Sequence, residues 1–173
     1  MKTQAKRSQV RHLRPAPPGK SATPMALLSQ ARLLHAVVLE KLLRAEGIEK
    51  LVKPGMGPAL FAMFEEDGML AKSLVARTGM AASTVTELVQ RMEKSGLVRR
   101  VRDAADSRAV RLHLTAQGHA VKPHVLKVAR QFEKIIQRGL SPADVTRLAS
   151  LLRHVIGNWQ AHLQKTAEQS LVL

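Results

Sequence analysis

The sequence predicts a mainly α fold carrying one small antiparallel hairpin, and three observations predict it. Between Leu70 and Lys94, apolar residues recur at helical spacing in two short runs separated by a glycine turn. From Val98 to Leu114 the period drops to two, in two basic strands around a polar loop. Longer helical runs with a single apolar stripe stand on either side of this stretch.

In the first short run Leu70, Leu74 and Val75 share one face. Thr78-Gly79-Met80 interrupts it, with Gly79 where a helix ends and the backbone needs a left-handed residue. Val85, Leu88, Val89 and Met92 then fall at i, i+3, i+4 and i+7, a second amphipathic helix that Gly96 stops. Its opposite face carries Ser83, Thr84, Thr86, Glu87, Gln90, Arg91 and Lys94. Two helices joined by such a turn make a helix-turn-helix. Val98 and Val101 stand in a basic strand, and Val110, Leu112 and Leu114 alternate with Arg111 and His113 in another. The six residues Asp103 to Arg108 between them are polar and turn-forming. A helix-turn-helix followed by a hairpin with a basic tip is a winged helix. Its second helix suits a major groove and its hairpin the adjacent minor groove.

Composition narrows the partner. The 173 residues carry a formal net charge of +15, which points to a polyanion. DNA, RNA and an anionic membrane surface all fit that charge, and the helix-turn-helix pattern selects double-stranded DNA. An RNA-binding module would want stacking aromatics, but Tyr is absent and Phe and Trp are few. Cysteine is absent, which excludes disulfides, thiolate zinc sites and thiol redox sensing. No apolar run reaches membrane-span length, and the N-terminal residues lack the apolar core of a secretory signal, so the cytoplasm is the expected compartment and no membrane partner is expected.

Residues 1–22 hold six Lys and Arg, no acid and the run Pro-Ala-Pro-Pro-Gly, and are expected to form a disordered basic tail. Such a tail is either a solvated extension or an arm that adds phosphate contacts. From Pro24 to Ala45, with Thr23 as N-cap, Leu28, Ala31, Leu34, Val38 and Leu42 mark a long helix that Gly47 ends. The breaker cluster 53–58 precedes a short helix, Ala59 to Glu66, whose Leu60, Phe61, Met63 and Phe64 are expected in the core. After the hairpin, Thr115 caps a helix reaching Arg138, with Val121, Val125, Val128, Phe132 and Ile135 forming a narrow seam that wants a partner helix. Pro123 is expected to kink that helix or delay its regular part. Ser141-Pro142-Ala143-Asp144 opens the last helix as a box-like cap, and Val145, Leu148, Leu152, Val155, Ile156 and Trp159 run down its face to about Gln164.

The run Asp103-x-x-Asp106-x-Arg108-Ala109-Val110-x-Leu112-x-Leu114-Thr115-x-x-Gly118 closely resembles the wing signature of the MarR family of bacterial transcription regulators. Ser83-Thr84-Val85-Thr86-x-Leu88-Val89 and Gly96-Leu97-Val98 resemble that family's recognition helix and its exit. The looser resemblance covers Thr23 to His162. Two positions depart from it: Ala104 stands where the family often has Pro, and Glu87 where a basic residue is common. The resemblance implies a winged helix-turn-helix at 55–115, with helices at 23–52 and 116–165 forming an intertwined dimerisation domain and a short tail at 166–173. It further implies a repressor that binds a pseudo-palindromic operator as a homodimer and is released by a small molecule.

The expected DNA contacts are Ser83, Thr84, Thr86, Gln90 and Arg91 on the recognition helix and Arg108 at the wing tip, with Asp106 positioning the wing. The family's effector pocket would draw apolar walls from Leu60, Met63 and Phe64, and cations from Arg32 and His35, a combination suited to a small aromatic carboxylate. A metal-responsive regulator of the same fold, using His113, His119 and His124, and an unregulated architectural DNA binder are the alternatives. His119 and His124 stand about 140° apart around a helix, which disfavours one metal for both, so neither a metal site nor a cofactor is expected. No nucleophile elbow, phosphate loop or paired acid motif suggests an enzyme.

Overall fold

The computed structural model describes residues 23–106 and 108–170, with side chains to Lys165. The expected basic tail at 1–22 lies outside the described residues. Nine elements follow in order: α1 (Pro24–Ala45), α2 (Gly57–Glu65), β1 (Met69–Leu70), α3 (Ala71–Thr78), α4 (Ala82–Lys94), β2 (Val98–Arg102), β3 (Val110–Leu114), α5 (Ala116–Gln137) and α6 (Pro142–Ser170).

The chain divides into two compact units between Val37 and Val38. The described part of the first is the opening of α1. There the Ala26 N–H donates to Thr23 Oγ1 at 3.3 Å, the expected N-cap. Met25, Leu27, Leu33, Leu34 and Val37 are exposed on it.

The second unit holds the winged helix. Its core gathers Leu60 and Met63 of α2, Met69 of β1, Leu74 of α3, Leu88 and Met92 of α4, and Leu112 of β3, all fully buried. β2 and β3 occupy the expected residues and pair antiparallel from Val98 opposite Leu114 to Arg102 opposite Val110. A third strand joins them. Met69 and Leu70 pair with Leu112 and Arg111, so the sheet order is β1-β3-β2. Leu70, expected inside the first helix, therefore belongs to a strand and serves as the extended N-cap of α3. Two residues are too few to carry a period; their conformation is set by pairing with β3.

The caps follow from local sequence. Gly79 ends α3 at φ 64°, a left-handed conformation that costs a residue with a Cβ about 1 kcal/mol or more. At α6 the Asp144 N–H donates to Ser141 Oγ at 3.2 Å while the Ser141 N–H donates to Asp144 Oδ2 at 3.2 Å, the expected box. Helix α6 continues to Ser170, past the boundary expected near 165. Pro123 sits within α5, and the helix is continuous from Ala116, so its regular part is not delayed.

The seam expected along α5 divides. Val121, Val125 and Val128 are buried in the core of their own winged helix, whereas Phe132 is half-buried and Ile135 and Ile136 are exposed. On α6, Leu148, Leu152, Ile156 and Trp159 are exposed. Among the described residues, no helix is long and apolar enough to cross a membrane.

One close approach seats α5. Thr115 Oγ1 accepts from the Gly118 N–H at 3.0 Å, and the Thr115 N–H donates to the Leu97 carbonyl at 3.0 Å. A Cβ on Gly118 would lie 2.1 Å from that carbonyl oxygen. In an exposed helix Gly→Ala stabilises by about 1 kcal/mol. Here the backbone must move, so Gly118→Ala should destabilise the chain by about 1–3 kcal/mol, read as a lowered urea midpoint. An unchanged or raised midpoint would show that α5 does not press on the Leu97 carbonyl in this way.

Candidate nucleic-acid interface

Helix α4 is fixed by its apolar side. Val85, Leu88, Val89 and Met92 are buried, so the helical phase leaves Ser83, Thr84, Thr86, Glu87, Gln90, Arg91 and Lys94 exposed. Every recognition-helix residue expected from sequence is on this open face. The Thr86 hydroxyl donates to the Ala82 carbonyl at 2.9 Å, so it meets a ligand as an acceptor. Glu87 shares the face and would repel a phosphate brought close to it.

The helix is braced from the sheet. Arg100 of β2 lays its Nε 3.0 Å from Glu93 Oε2, and its Nη2 donates to the Thr86 carbonyl at 3.4 Å. This arginine holds β2 and α4 together, a role its place among the three arginines of β2 did not reveal.

The wing is held by two carboxylates. Asp106, the expected positioning residue, accepts the Arg108 N–H on Oδ1 at 3.0 Å, and the Ala109 N–H donates to its carbonyl at 2.9 Å. Asp103 does more. Its Oδ1 accepts the N–H groups of Ala105 and Asp106, each at 2.9 Å, and its Oδ2 takes the Arg111 Nε–H. Arg111 Nη1 donates to the Gly68 carbonyl at 2.9 Å, tying the wing to the turn before β1. Sequence reasoning placed Asp103 in the motif without a task and missed Arg111. The signal available was an acid at the strand end eight residues before an arginine on the paired strand. Arg108 itself is presented outward. Its side chain is 95% exposed, and Asp106 Oδ1 stands 3.9 Å from its Nε.

The effector residues fall in different places. Arg32 and His35 belong to the exposed part of α1 in the first unit. Leu60 and Met63 are enclosed in the core of the second, the first role expected of them. Phe64 is half-buried, edge-on to Phe61 with ring centroids 6.4 Å apart, and Lys122 Nζ lies 5.4 Å from its ring centre.

The histidines of the metal alternative face carboxylates. His124 Nδ1 is 2.9 Å from Glu46 Oε1, and His119 Nε2 is 3.2 Å from Asp67 Oδ2. No group of three or more His, Cys, Asp or Glu that could hold a metal ion occurs among the described residues. Lys127 and His124 beside Glu46 hold its carboxyl below the usual range.

The N–H groups of Ala105 and Asp106, with the Arg111 guanidinium, likewise hold the Asp103 carboxyl below the usual range. A carboxyl lowered by folding contributes order above its unfolded value and loses it as pH falls through the folded value. The amide resonances of Ala105 and Asp106 should therefore stay in place through about pH 4, where a free Asp titrates, and move only in stronger acid. Movement at or above pH 4 would contradict the assignment, and Asp103→Asn should abolish the titration.

With the geometry established, comparison with known proteins gives it a lineage. The MarR family model matches residues 58–109, from α2 through the wing. The HTH-type transcriptional regulator YsmB of Bacillus subtilis (strain 168) is 32% identical over 111 residues, covering 58% of this chain and 76% of that protein. The fold is shared with the PcaV transcriptional regulator of Streptomyces coelicolor in complex with its natural ligand, at TM-score 0.71 and 22% identity over 82% of this chain and 97% of that one. It is shared also with Bordetella bronchiseptica BpsR, whose DNA binding is regulated by 6-hydroxynicotinic acid, at TM-score 0.63 and 23% identity over 75% of this chain and 95% of that one. The buried and exposed faces of α4, the anchored wing and these likenesses agree: the chain belongs to the MarR family of transcriptional regulators, built on a winged helix-turn-helix.

Proposed function

We propose that the chain is a homodimeric repressor that binds a pseudo-palindromic operator on double-stranded DNA in the cytoplasm and is released by a small aromatic carboxylate. The observation that carries the DNA reading is the pairing of an open polar face on α4 with a wing whose Arg108 is 95% exposed on a turn ordered by Asp103 and Asp106. In this reading α4 lies in the major groove, where Ser83, Thr84, Thr86 and Gln90 meet base edges and Arg91 takes a base or a phosphate. Arg108 enters the minor groove, where narrow A·T-rich DNA attracts a guanidinium.

The dimer is supported by what the single chain leaves uncovered. Leu148, Leu152, Ile156 and Trp159 on α6, and Ile135 and Ile136 on α5, present apolar surface to solvent. A second copy meets that surface with like surface, as a two-fold contact does. The segments 23–52 and 116–165 then serve dimerisation and 55–115 serves DNA.

The effector is argued from chemistry and from likeness. BpsR responds to 6-hydroxynicotinic acid, an aromatic carboxylate. On this chain Arg32 and His35 of α1 are the proposed cationic partners of the carboxylate. An inducer must favour the dimer form that misfits the operator, since equal affinity for both forms shifts nothing.

Anisotropy with an inverted repeat of half-sites about 10 bp apart tests the reading. Affinity should fall steeply with salt. Arg108→Ala should cost about 1–3 kcal/mol with secondary structure unchanged. At fixed salt, one acid from a panel of benzoates and hydroxypyridine carboxylates should weaken binding about five- to 150-fold, and less in Arg32→Ala or His35→Ala. Unchanged affinity in Arg108→Ala would remove the wing assignment. A panel without effect would remove the carboxylate effector, and release by metal salts instead would favour a metal-responsive regulator.

A further inference from the structure

Helix α4 does not lie flush on the sheet along its whole length. Beside Arg100 of β2 a cleft of about 200 Å³ opens between Val85, Thr86 and Val89 on α4 and Val110 and Leu112 on β3. Groups that line a gap lose the contacts that would fix them, so packing alone leaves the helix room to shift at this place. One guanidinium spans it. Arg100 Nε lies 3.0 Å from Glu93 Oε2, near the C-terminal end of α4, and Nη2 donates to the Thr86 carbonyl, about two turns earlier, at 3.4 Å. The Arg100 and Glu93 side chains are 35% and 31% exposed, so both are largely withdrawn from water.

The same strand also roots the wing. Two residues beyond Arg100, Arg102 pairs with Val110, and the chain enters Asp103, whose carboxylate orders Ala105 and Asp106 in the wing turn. The anchor of α4 and the base of the wing therefore sit on one short piece of β2.

We propose that Arg100 is a positioning residue for DNA reading, fixing α4 against β2 so that the open face of α4 and Arg108 reach their two grooves together. This rests on the DNA-binding function proposed above. Arginine suits the task because its donors form a rigid fork that holds two acceptors at once, whereas a lysine offers one mobile point charge. The brace also disposes of an unwelcome charge. Glu93 belongs to a helix meant for a polyanion, and among the described residues Arg100 is its one ion-pair partner. The pair together is neutral, so neither member alone accounts for attraction to phosphate.

The test uses the full-length chain and two duplexes: an inverted repeat that the wild type selects from a random pool, and a scrambled duplex of the same composition. Anisotropy gives the affinities of wild type, Glu93→Ala and Arg100→Ala, each with and without Arg108→Ala, and urea midpoints confirm that every chain is folded. The two brace substitutions change the net charge in opposite directions. Charge alone would make Glu93→Ala bind both duplexes more tightly and Arg100→Ala bind both more weakly. Positioning predicts that both variants lose discrimination between the duplexes by about two- to tenfold, and that Arg108→Ala costs at least about twofold less in either background than in the wild type, as for residues coupled through a shared backbone shift. Discrimination kept by either variant, or an Arg108→Ala cost that is the same in all three backgrounds, would overturn the proposal. So would a salt slope lowered by about 0.9 in Arg100→Ala, the mark of a direct phosphate contact. A wild type that selects no duplex defeats the proposed function instead. The Arg100 Nε–H resonance then decides on the brace alone: it should move in Glu93→Ala, and a resonance that stays still overturns the brace as well.

Discussion

What the winged helix presents depends on β3 having a partner along each edge and a different task on each face. Leu112 stands opposite Met69 on one side and Arg100 on the other, and is wholly buried. Because a strand alternates its side chains, Leu112 and Leu114 enter the core while Arg111 and His113 point the other way. That other face meets the acids: Asp103 and the Gly68 carbonyl for Arg111, and Asp67 for His113. A slip of one residue would exchange the two sets and lose the core and the wing anchors together. The pairing of Arg102 with Val110 at the far end delivers the chain into the wing turn. The same strand leads at its near end into Thr115, whose amide donates to the Leu97 carbonyl and whose hydroxyl donates to the Gly96 carbonyl and caps α5 at the Gly118 N–H.

In the proposed dimer each winged helix reads one half-site, and the terminal helices bear on how the two are brought together. In α5 the apolar stripe begins in the core at Val121 and ends in the open at Ile135. One continuous helix thus runs from the core of the winged helix out to the uncovered surface of α5 and α6. In the proposed dimer, a change of packing at that surface moves the recognition helices as bodies, which is how a ligand with unequal affinity for two arrangements acts at a distance.

Much of this was legible because it is local. Gly79, Gly96, Thr115 and the Ser141–Asp144 box announce helix ends within a few residues of themselves, and both hairpin strands show their period directly. The open face of α4 follows from helical phase once Val85, Leu88, Val89 and Met92 are placed inside. What was not legible is what joins distant residues. Arg111 reaches a carbonyl 43 positions away and Asp67 an amide 47 positions away, and neither leaves a spacing to find. β1 escaped because its extended form comes from β3 and not from its own two residues. The stripe on α5 showed an apolar face but could not say that its first half packs on its own chain.

The central claim is that two copies hold two winged helices at the spacing of an inverted repeat, through the apolar surface of α5 and α6. Sedimentation equilibrium at micromolar concentration, with and without an inverted-repeat duplex, tests it most directly when paired with Leu152→Asp, which would bury an unpaired carboxylate in that surface. The account predicts twice the chain mass for the wild type, two chains on each duplex, and loss of both dimer and duplex binding in the variant. A folded monomer that binds the duplex with full affinity would contradict it.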